Sequence, residues 1–256
     1  MRNAVGVALH DTARRGFASA ADVYEESRPG YPPEAIDRLT AELHLAPGRT
    51  LVDLAAGTGK LTRLLIPTGA TVIAIEPVDE MRDALGRTAP TAEPRDATAE
   101  RTGLPDRSVD AVTVAQAFHW FDAPVALAEI HRILRPDARL ALVWNVRDLE
   151  HPTQRAIETL FAPYRGDTPS HRSGAWRTAV DETRLFDRTT TARFPNIQTL
   201  NAETLVRRVA STSFIADLPD PDRTTVLDEA RTIASGLPDR FPFPYTTEVE
   251  ILNRVP

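Results

Sequence analysis

Two acidic residues accompany apolar segments at a spacing that suits a bound nucleoside. Asp53 lies in an apolar run that stops at Gly57 and Gly59, and Glu76 ends the next apolar run. Because glycine has no Cβ, the backbone N–H groups of such a turn can approach a ligand closely. An acid at the end of a second strand is where a ribose presents its two hydroxyls. The pair therefore predicts a site for a nucleoside-bearing cofactor.

The glycine spacing narrows the choice of cofactor. A dinucleotide fingerprint that starts at Gly57 needs a third glycine where Thr62 stands, and a phosphate-binding P-loop needs Ser or Thr directly after Lys60. Neither pattern is met. The segment from Ala55 follows A-x-G-x-G and has an acid two residues before it. This pattern suits a ligand with an ammonium group, although a plain strand-to-helix turn stays open as an alternative.

Strands and helices that alternate along the chain must position these residues. The apolar pattern predicts strands at 50–55, 71–75, 110–115 and 139–145, and helices at 60–67, 78–87 and 123–134, with a turn at 135–137. Such alternation predicts a mostly parallel sheet, whose ligands lie beyond the carboxyl ends of the strands. Farther on we expect helices at 151–165, 175–186, 202–211 and 222–235, and strands near 191–194 and 245–252.

Composition limits the functional classes. The chain has 256 residues, 42% of them hydrophobic, and no apolar run approaches the ~20 residues that span a bilayer. A net charge of −6 without a basic run argues against nucleic-acid binding. The absence of cysteine excludes thiolate catalysis, and the isolated histidines predict no metal site. We expect a cytoplasmic protein with a small-molecule partner, no nucleic acid and no membrane; monomer and homodimer stay open.

Several motifs resemble those of class I S-adenosylmethionine-dependent methyltransferases. The matching segments are 52–59, 75–77 with Met81, 104–112, 115–122, 28–32 and 144–145. The segment 115–122 is similar to a small-molecule branch that includes trans-aconitate-methyltransferase-like enzymes. One departure is Ala55, where the family usually has glycine. The resemblance implies a Rossmann-like α/β fold with a mostly parallel sheet flanked by helices, an N-terminal arm and a helical lid insertion.

The same resemblance implies a division of the chain and a cofactor. We expect a single methyltransferase domain with an arm or cap at 1–34, a cofactor-binding core at 35–145, a helical lid at 146–190 and a C-terminal part at 191–256 that completes the sheet. The implied cofactor is S-adenosyl-L-methionine, which leaves as S-adenosyl-L-homocysteine, with no metal. The residues expected to bind it are Tyr24, Arg28, Asp53, Ala55, Gly57, Thr58, Gly59, Glu76, Pro77, Met81, Thr98, Ala99 and Gln116.

Methyl transfer from a sulfonium is an in-line displacement, in which the protein mainly aligns the acceptor and excludes water. A base is needed only where the acceptor must lose a proton. His119 is the candidate base, because it follows a strand end and histidine titrates near neutrality. A backbone or cofactor contact without proton exchange is the alternative for His119, and His171 is the second choice of base.

The acceptor residues follow from the same reasoning. Acceptor contacts are expected from Trp120, Trp144, Asn145, Arg147, His171, Trp176 and Tyr245. Arg147 and Arg172 would suit an acidic acceptor. The predicted function is O-methylation of a small molecule in specialised metabolism. The alternative keeps S-adenosylmethionine in a structural role during a non-methylating reaction such as cyclisation.

Overall fold

A computed structural model describes residues 25–256 of the chain. The predicted contact of Tyr24, and most of the predicted arm, lie outside the described residues. The described part divides into two compact units. The sheet unit comprises Gly30–Asn145, Pro169–Phe194 and Thr247–Pro256, and the helical unit comprises 25–29, Val146–Thr168 and Pro195–Thr246.

A seven-stranded sheet carries the architecture. Its strands are β1 (Thr50–Leu54), β2 (Thr71–Ile75), β3 (Glu93–Arg95), β4 (Val109–Ala115), β5 (Leu134–Arg147), β6 (Phe186–Leu200) and β7 (Phe241–Arg254). The spatial order is β3-β2-β1-β4-β5-β7-β6. β1 pairs in parallel with β2 and β4, β2 with β3, and β4 with β5. This topology confirms the predicted Rossmann-like α/β fold.

Helices connect the strands. They are α1 (Pro33–Glu42), α2 (Thr62–Leu65), α3 (Asp79–Thr88), α4 (Ala123–Ile133), α5 (Pro152–Phe161), α6 (Ala175–Thr183), α7 (Ala202–Ala210), α8 (Ser213–Ala216) and α9 (Asp220–Ser235). Proline at the first turn starts α1, as the Pro32-Pro33 pair predicts. Asn201 and Thr204 form a capping box at the start of α7. No helix among residues 25–256 is long and apolar enough to cross a membrane.

The core of the sheet unit explains why its central strands are readable from sequence. The last four residues of both β1 and β2 are buried, as are the first six of β4. Strands covered on both faces read as continuous apolar runs. Their side chains pack with those of α1 to α3, including Leu39, Leu65 and Leu85, and with Leu61 directly before α2.

The helical unit has its own apolar core. Buried side chains of α5, α7 and α9 pack with the first part of β7. The contributing residues include Ile157, Phe161, Leu205, Val209, Val226, Ala230 and Phe243. The segment 146–190, predicted as one helical lid, is thus divided, because 146–168 belongs to the helical unit and 169–194 to the sheet unit.

Three sequence predictions need correction. The turn at 135–137 is wrong, because these residues belong to β5, where the pairing with β4 shifts register and Asp137 has a φ of 61°. β3 was absent from the predicted strands, since its sequence Glu-Pro-Arg is polar and largely exposed. The strand near 191–194 is too short, because β6 runs over 15 residues in which mostly polar side chains alternate in exposure.

Candidate functional site

The carboxylate of Asp53 links three elements inside the sheet unit. The residue is 1% exposed at the penultimate position of β1. One oxygen accepts a hydrogen bond from Thr62 Oγ1 of α2 at 2.6 Å, and the other accepts one from Thr113 Oγ1 of β4 at 2.8 Å. Burial raises the pKa of Asp53 to about 6, against the two hydroxyl donors, which lower it. The side chain therefore fixes the base of the turn that follows β1.

The turn itself requires left-handed backbone. Ala55, Gly57 and Gly59 have φ values of 52°, 58° and 84°. A Cβ added to Gly57 would meet no atom within 4 Å, so this glycine borders open space. A Cβ on Gly59 would lie 2.8 Å from Leu85 Cδ1 and 2.9 Å from Thr88 Oγ1. The two glycines thus serve different purposes, one leaving a space and the other allowing close packing on α3.

Thr58 lies between these glycines and is also tied to α3. Its carbonyl oxygen accepts a hydrogen bond from Thr88 Oγ1 at 2.5 Å, and the residue is 1% exposed. This bond and the close packing of Gly59 hold the turn against the end of α3. The backbone of the turn is therefore preorganised.

Glu76 follows β2 and reaches the turn. Its carboxylate accepts hydrogen bonds from the backbone N–H of Gly57 at 2.8 Å and of Val78 at 2.9 Å, and the residue is 5% exposed. Burial raises its pKa, against these two donors. Each carboxylate oxygen has further acceptor capacity. Glu76 therefore offers a rigid, buried acceptor next to the glycine that borders open space.

The remaining residues predicted to contact the cofactor lie in α3 or in the segments that follow β2 and β3. Pro77 directly follows Glu76 and is partly exposed, while Met81 is 3% exposed in α3. Ala99 is 4% exposed, and Thr98 forms an isolated antiparallel bridge with Arg101. Their burial is compatible with packing as well as with ligand contact.

The end of β4 carries the second strained position. Gln116 has a φ of 59°, and its N–H donates to the carbonyl oxygen of Val143 at 2.9 Å. A single 3-10 turn, Phe118–Trp120, follows and places His119 and Trp120 just after the strand end. Non-glycine residues with positive φ are often held there by their surroundings at functional sites.

His119 lies among aromatic rings. Its ring centroid is 4.9 Å from that of Trp120 and 5.4 Å from that of Trp144. Its Nδ1 atom is buried and has no hydrogen-bond partner among the described residues. Burial, followed by the charge of His171, lowers the pKa of His119 to about 3. The imidazole is therefore neutral at pH 7, and one of its ring nitrogens can accept a hydrogen bond.

An aromatic group continues from Trp144 to the segment 171–176. The ring of Trp144 lies 4.7 Å from that of His171 and 5.7 Å from that of Trp176, and the last two stack at 5.5 Å. Trp176 Nε1 donates to the carbonyl oxygen of His171 at 3.1 Å. His171 Nε2 lies 3.3 Å from Glu248 Oε2. The structure thus brings together five of the predicted site residues, namely His119, Trp120, Trp144, His171 and Trp176.

Glu248 was missed by the sequence analysis. It lies on β7, is 8% exposed, and pairs with Arg193 Nε at 2.8 Å as well as with His171. These partners, His171 first, lower the pKa of Glu248 to about 2. The sequence offers one signal, because Glu248 and Glu250 alternate with the apolar residues Val249 and Ile251. Thr62 and Thr113 were missed as partners of Asp53, since threonine in a strand or helix is common.

The other predicted residues have different surroundings. Asn145 Nδ2 donates to Gly30 O at 3.0 Å, and its Oδ1 accepts from Thr247 at 2.6 Å. Arg28, Arg147 and Tyr245 belong to the helical unit. There Arg28 Nη2 donates to the carbonyl oxygen of Ser211 at 2.6 Å. Among residues 25–256, no three histidine or acidic side chains are grouped as metal ligands would be.

Comparisons with known proteins show which family the chain resembles. Residues 52–142 match the family described as "Methyltransferase domain". An uncharacterized methyltransferase of Mycobacterium tuberculosis strain H37Rv is 39% identical over 225 residues, which cover 87% of this chain and 86% of the relative. This segment of similarity includes the turn, Glu76 and the end of β4.

Solved structures share the fold. The YcgJ protein of Bacillus subtilis superposes with a TM-score of 0.57 at 17% identity, covering 87% of this chain and 99% of that one. A geranyl diphosphate C-methyltransferase from Streptomyces coelicolor A3(2), solved with Mg²⁺, geranyl diphosphate and S-adenosyl-L-homocysteine, gives a TM-score of 0.51 at 14% identity, covering 87% and 79%. At these identities the likeness concerns the fold alone.

Proposed function

This chain belongs to the class I S-adenosylmethionine-dependent methyltransferases, and we propose that it methylates an oxygen atom of a small molecule in specialised metabolism. The observation that carries the proposal is the buried carboxylate of Glu76 beside the N–H of Gly57. It supplies an acceptor for ribose hydroxyls where the backbone leaves space for a ligand. The predicted cytoplasmic location, the choice between monomer and homodimer, and the absence of a metal stay predictions.

The cofactor-binding residues fit S-adenosyl-L-methionine on two structural grounds. The open space at Gly57 admits a ligand against the backbone, and Glu76 retains acceptor capacity after its two backbone hydrogen bonds. When bound, the cofactor supplies a methyl group on a positively charged sulfur. Asp53 fixes the turn from below through its threonine partners. The other proposed contacts are Tyr24, Arg28, Ala55, Thr58, Gly59, Pro77, Met81, Thr98, Ala99 and Gln116.

His119 is the proposed base. Its ring is neutral at pH 7, and its buried Nδ1 has no partner within the described residues. His119 would be the group that takes the hydroxyl proton of the acceptor, and the bound cofactor would supply the methyl group. A base with a pKa of about 3 takes up a proton poorly at pH 7, so this low pKa favours a contact of His119 without proton transfer. A contact without proton exchange remains the alternative.

The acceptor contacts are proposed from the aromatic group of the sheet unit and, separately, from Arg147 and Tyr245 of the helical unit. Trp144 is 1% exposed and Trp176 is 3% exposed, so both serve mainly to fix the rings that they contact. His171 has Glu248 beside it, which orients its imidazole. The proposed set is Trp120, Trp144, Asn145, Arg147, His171, Trp176 and Tyr245.

Calorimetric titration of the full chain with S-adenosyl-L-methionine and S-adenosyl-L-homocysteine tests the proposal. We expect both to bind, and Glu76→Ala to weaken binding by roughly 1–3 kcal/mol through the loss of charged hydrogen bonds. Glu80→Ala, an exposed acid in the first turn of α3, is the matched control and should bind as the wild type does. Absence of binding at millimolar cofactor would end the proposal.

A second function keeps the cofactor without methyl transfer. Because a fold does not fix the chemistry, a non-methylating reaction such as cyclisation is the competing proposal. Incubation with methyl-labelled cofactor and candidate acceptors separates the two. Labelled product supports methylation, whereas turnover of an acceptor without label supports the alternative.

A further inference from the structure

Three arginines and one acid lie together in the helical unit. Arg147 is at the end of β5, Arg208 is in α7, and Arg165 follows α5. The acid is Glu158 of α5, whose two carboxylate oxygens are divided between Arg147 Nη1 at 3.1 Å and Arg165 Nη2 at 2.7 Å. A single carboxylate thus serves two guanidinium groups.

Arg208 is the buried arginine of this group that has no carboxylate partner among the described residues. The residue is 5% exposed. Its Nε donates to Tyr245 Oη at 3.2 Å and its Nη1 to Thr212 Oγ1 at 3.5 Å, both of which are neutral oxygens. No acid within the described residues forms an ion pair with it. A buried charge that lacks a counter-charge is costly for a protein to keep.

Arg147 and Arg208 share surroundings. The N–H of Asp148 donates to the carbonyl oxygen of Pro244 at 3.3 Å, which places Arg147 on β5 beside Tyr245 on β7. Tyr245 in turn accepts the hydrogen bond of Arg208. Burial and then the charge of Arg208 lower the pKa of Arg147 to about 10, which leaves it protonated at pH 7. The Arg147 guanidinium also lies 4.7 Å above the ring of Phe161.

The charge balance of this group is three positive charges against one negative charge. Some other arginines of the same unit have acidic partners of their own, as Arg207 has in Glu26 and Glu203. A small anion would supply the missing counter-charge, and guanidinium groups bind carboxylate and phosphate through paired hydrogen bonds.

We propose that Arg147 and Arg208, with the hydroxyl of Tyr245, bind the anionic group, carboxylate or phosphate, of a small-molecule ligand. Since Arg147 and Tyr245 are among the proposed acceptor contacts, the inference rests on the proposed function in that respect and makes the acceptor an acid. Glu158 acts as a positioning residue, because its ion pairs with Arg147 and Arg165 fix where the two guanidinium groups lie.

The test is calorimetric titration of the full chain, at low ionic strength, with tricarballylate and with inorganic pyrophosphate as separate probes. We expect the wild type to bind at least one probe, and the better probe distinguishes a carboxylate from a phosphate ligand. Arg208→Gln should weaken that binding at least tenfold, and Arg208→Lys should restore part of it because the charge is kept. Arg231→Gln, which removes an exposed arginine paired with Asp228, is the control and should change nothing.

Thermal unfolding without a probe gives a second readout. Arg208→Gln removes an uncompensated charge, so its midpoint should equal or exceed that of the wild type, whereas loss of a purely structural arginine would lower it. Should Arg208→Gln fail to fold, Arg147→Gln and Arg208→Lys take its place in the titration. The inference is overturned if the wild type binds neither probe or if binding is equal in the Arg208 and Arg231 variants.

S-adenosyl-L-homocysteine is titrated in parallel to separate the two proposals. Bound anion without bound S-adenosyl-L-homocysteine would end the proposed function and keep the anion site. The reverse result would end the anion site alone.

Discussion

Asp53 in the sheet unit and Arg208 in the helical unit are both buried charged residues held by neutral partners. Asp53 is 1% exposed and accepts from two threonine hydroxyls, and Arg208 is 5% exposed and donates to tyrosine and threonine hydroxyls. The difference is in how each can lose its charge. Asp53, with its pKa raised to about 6, can take up a proton, whereas an arginine keeps its proton at every physiological pH. Asp53 can therefore become neutral without a ligand, whereas the buried Arg208 stays charged and would be stabilised by a bound anion.

The two units also differ in backbone geometry. Within residues 25–256, the non-glycine residues with positive φ all belong to the sheet unit, and Ala55 and Gln116 among them follow the adjacent strands β1 and β4. The helical unit has none in its described part. The sheet unit therefore holds conformational strain at its candidate site, while the helical unit holds uncompensated charge.

The largest expected effect comes from removing the acid. Asp53→Ala leaves the hydroxyls of Thr62 and Thr113 buried without their acceptor, so the free energy of unfolding should fall by about 2–4 kcal/mol. Chemical denaturation measures it. Asp53→Asn keeps one oxygen acceptor, so its free energy of unfolding should fall less. Asp83→Ala, on the exposed side of α3, should leave the free energy of unfolding almost unchanged. If Asp53→Ala were as stable as the wild type, the hydrogen bonds of Asp53 would not stabilise the fold, and its comparison with Arg208 would fail.

The pH dependence of stability sharpens the same contrast. Because the folded protein holds the Asp53 proton up to a pKa of about 6 and the unfolded chain releases it near 3.8, the folded state binds more protons in between. The contribution of this group to stability therefore falls as pH rises from about 4 to about 6, by up to about 1.4 kcal/mol per pH unit. Denaturant titrations across this range should show a flatter profile for Asp53→Asn.

Glu248 is expected to change stability with pH in the opposite direction, and at lower pH. Its pKa is lowered to about 2, so its contribution is present above the ordinary value of 4.5 and is lost as pH falls towards 2. Glu248→Gln, measured in the same series, separates the two carboxylates. A profile that Asp53→Asn leaves unchanged between pH 4 and 6 would contradict the raised pKa of Asp53.

The smallest expected effect concerns strain in the turn. Ala55 has a φ of 52°, a conformation that costs a residue with a Cβ more than it costs glycine. Ala55→Gly should therefore raise the free energy of unfolding by up to about 1 kcal/mol, net of the greater flexibility of glycine in the unfolded chain. Gly57→Ala, at a φ of 58° in the same turn, is the mirror control and should be destabilised. Both are measured by chemical denaturation.

The sequence predicted the parallel strands well because burial on both faces leaves an uninterrupted apolar run. β1, β2 and β4 lie where they were expected, and the class I fold is confirmed. β3 and most of β6 were not predicted, because strands with polar, exposed side chains lack an apolar run. The start of β5 was not predicted, because the sequence Arg-Pro-Asp is typical of a turn. The shift of register between β4 and β5 accommodates these residues within a strand.

For the candidate site, types and spacing predicted which residues stand at strand ends, and left their partners unknown. Glu76 was expected to face a ligand, but its hydrogen bonds to Gly57 and Val78 depend on how β1 and β2 pair. Arg208 follows Arg207 in an amphipathic helix, so its sequence context is typical of a surface residue. Only tertiary packing distinguishes the buried arginine from its exposed neighbour.

The contact between Gly59 and α3 limits how the molecule can admit its cofactor. Leu85 is fully buried, and with Thr88 it leaves no room for even one methyl group at Gly59. The turn after β1 is therefore not independently mobile. An outward movement would have to carry α3 along, or break this packing and the hydrogen bond between Thr88 and Thr58. Any gate that opens for the exchange of spent and fresh cofactor has to be sought in another part of the chain.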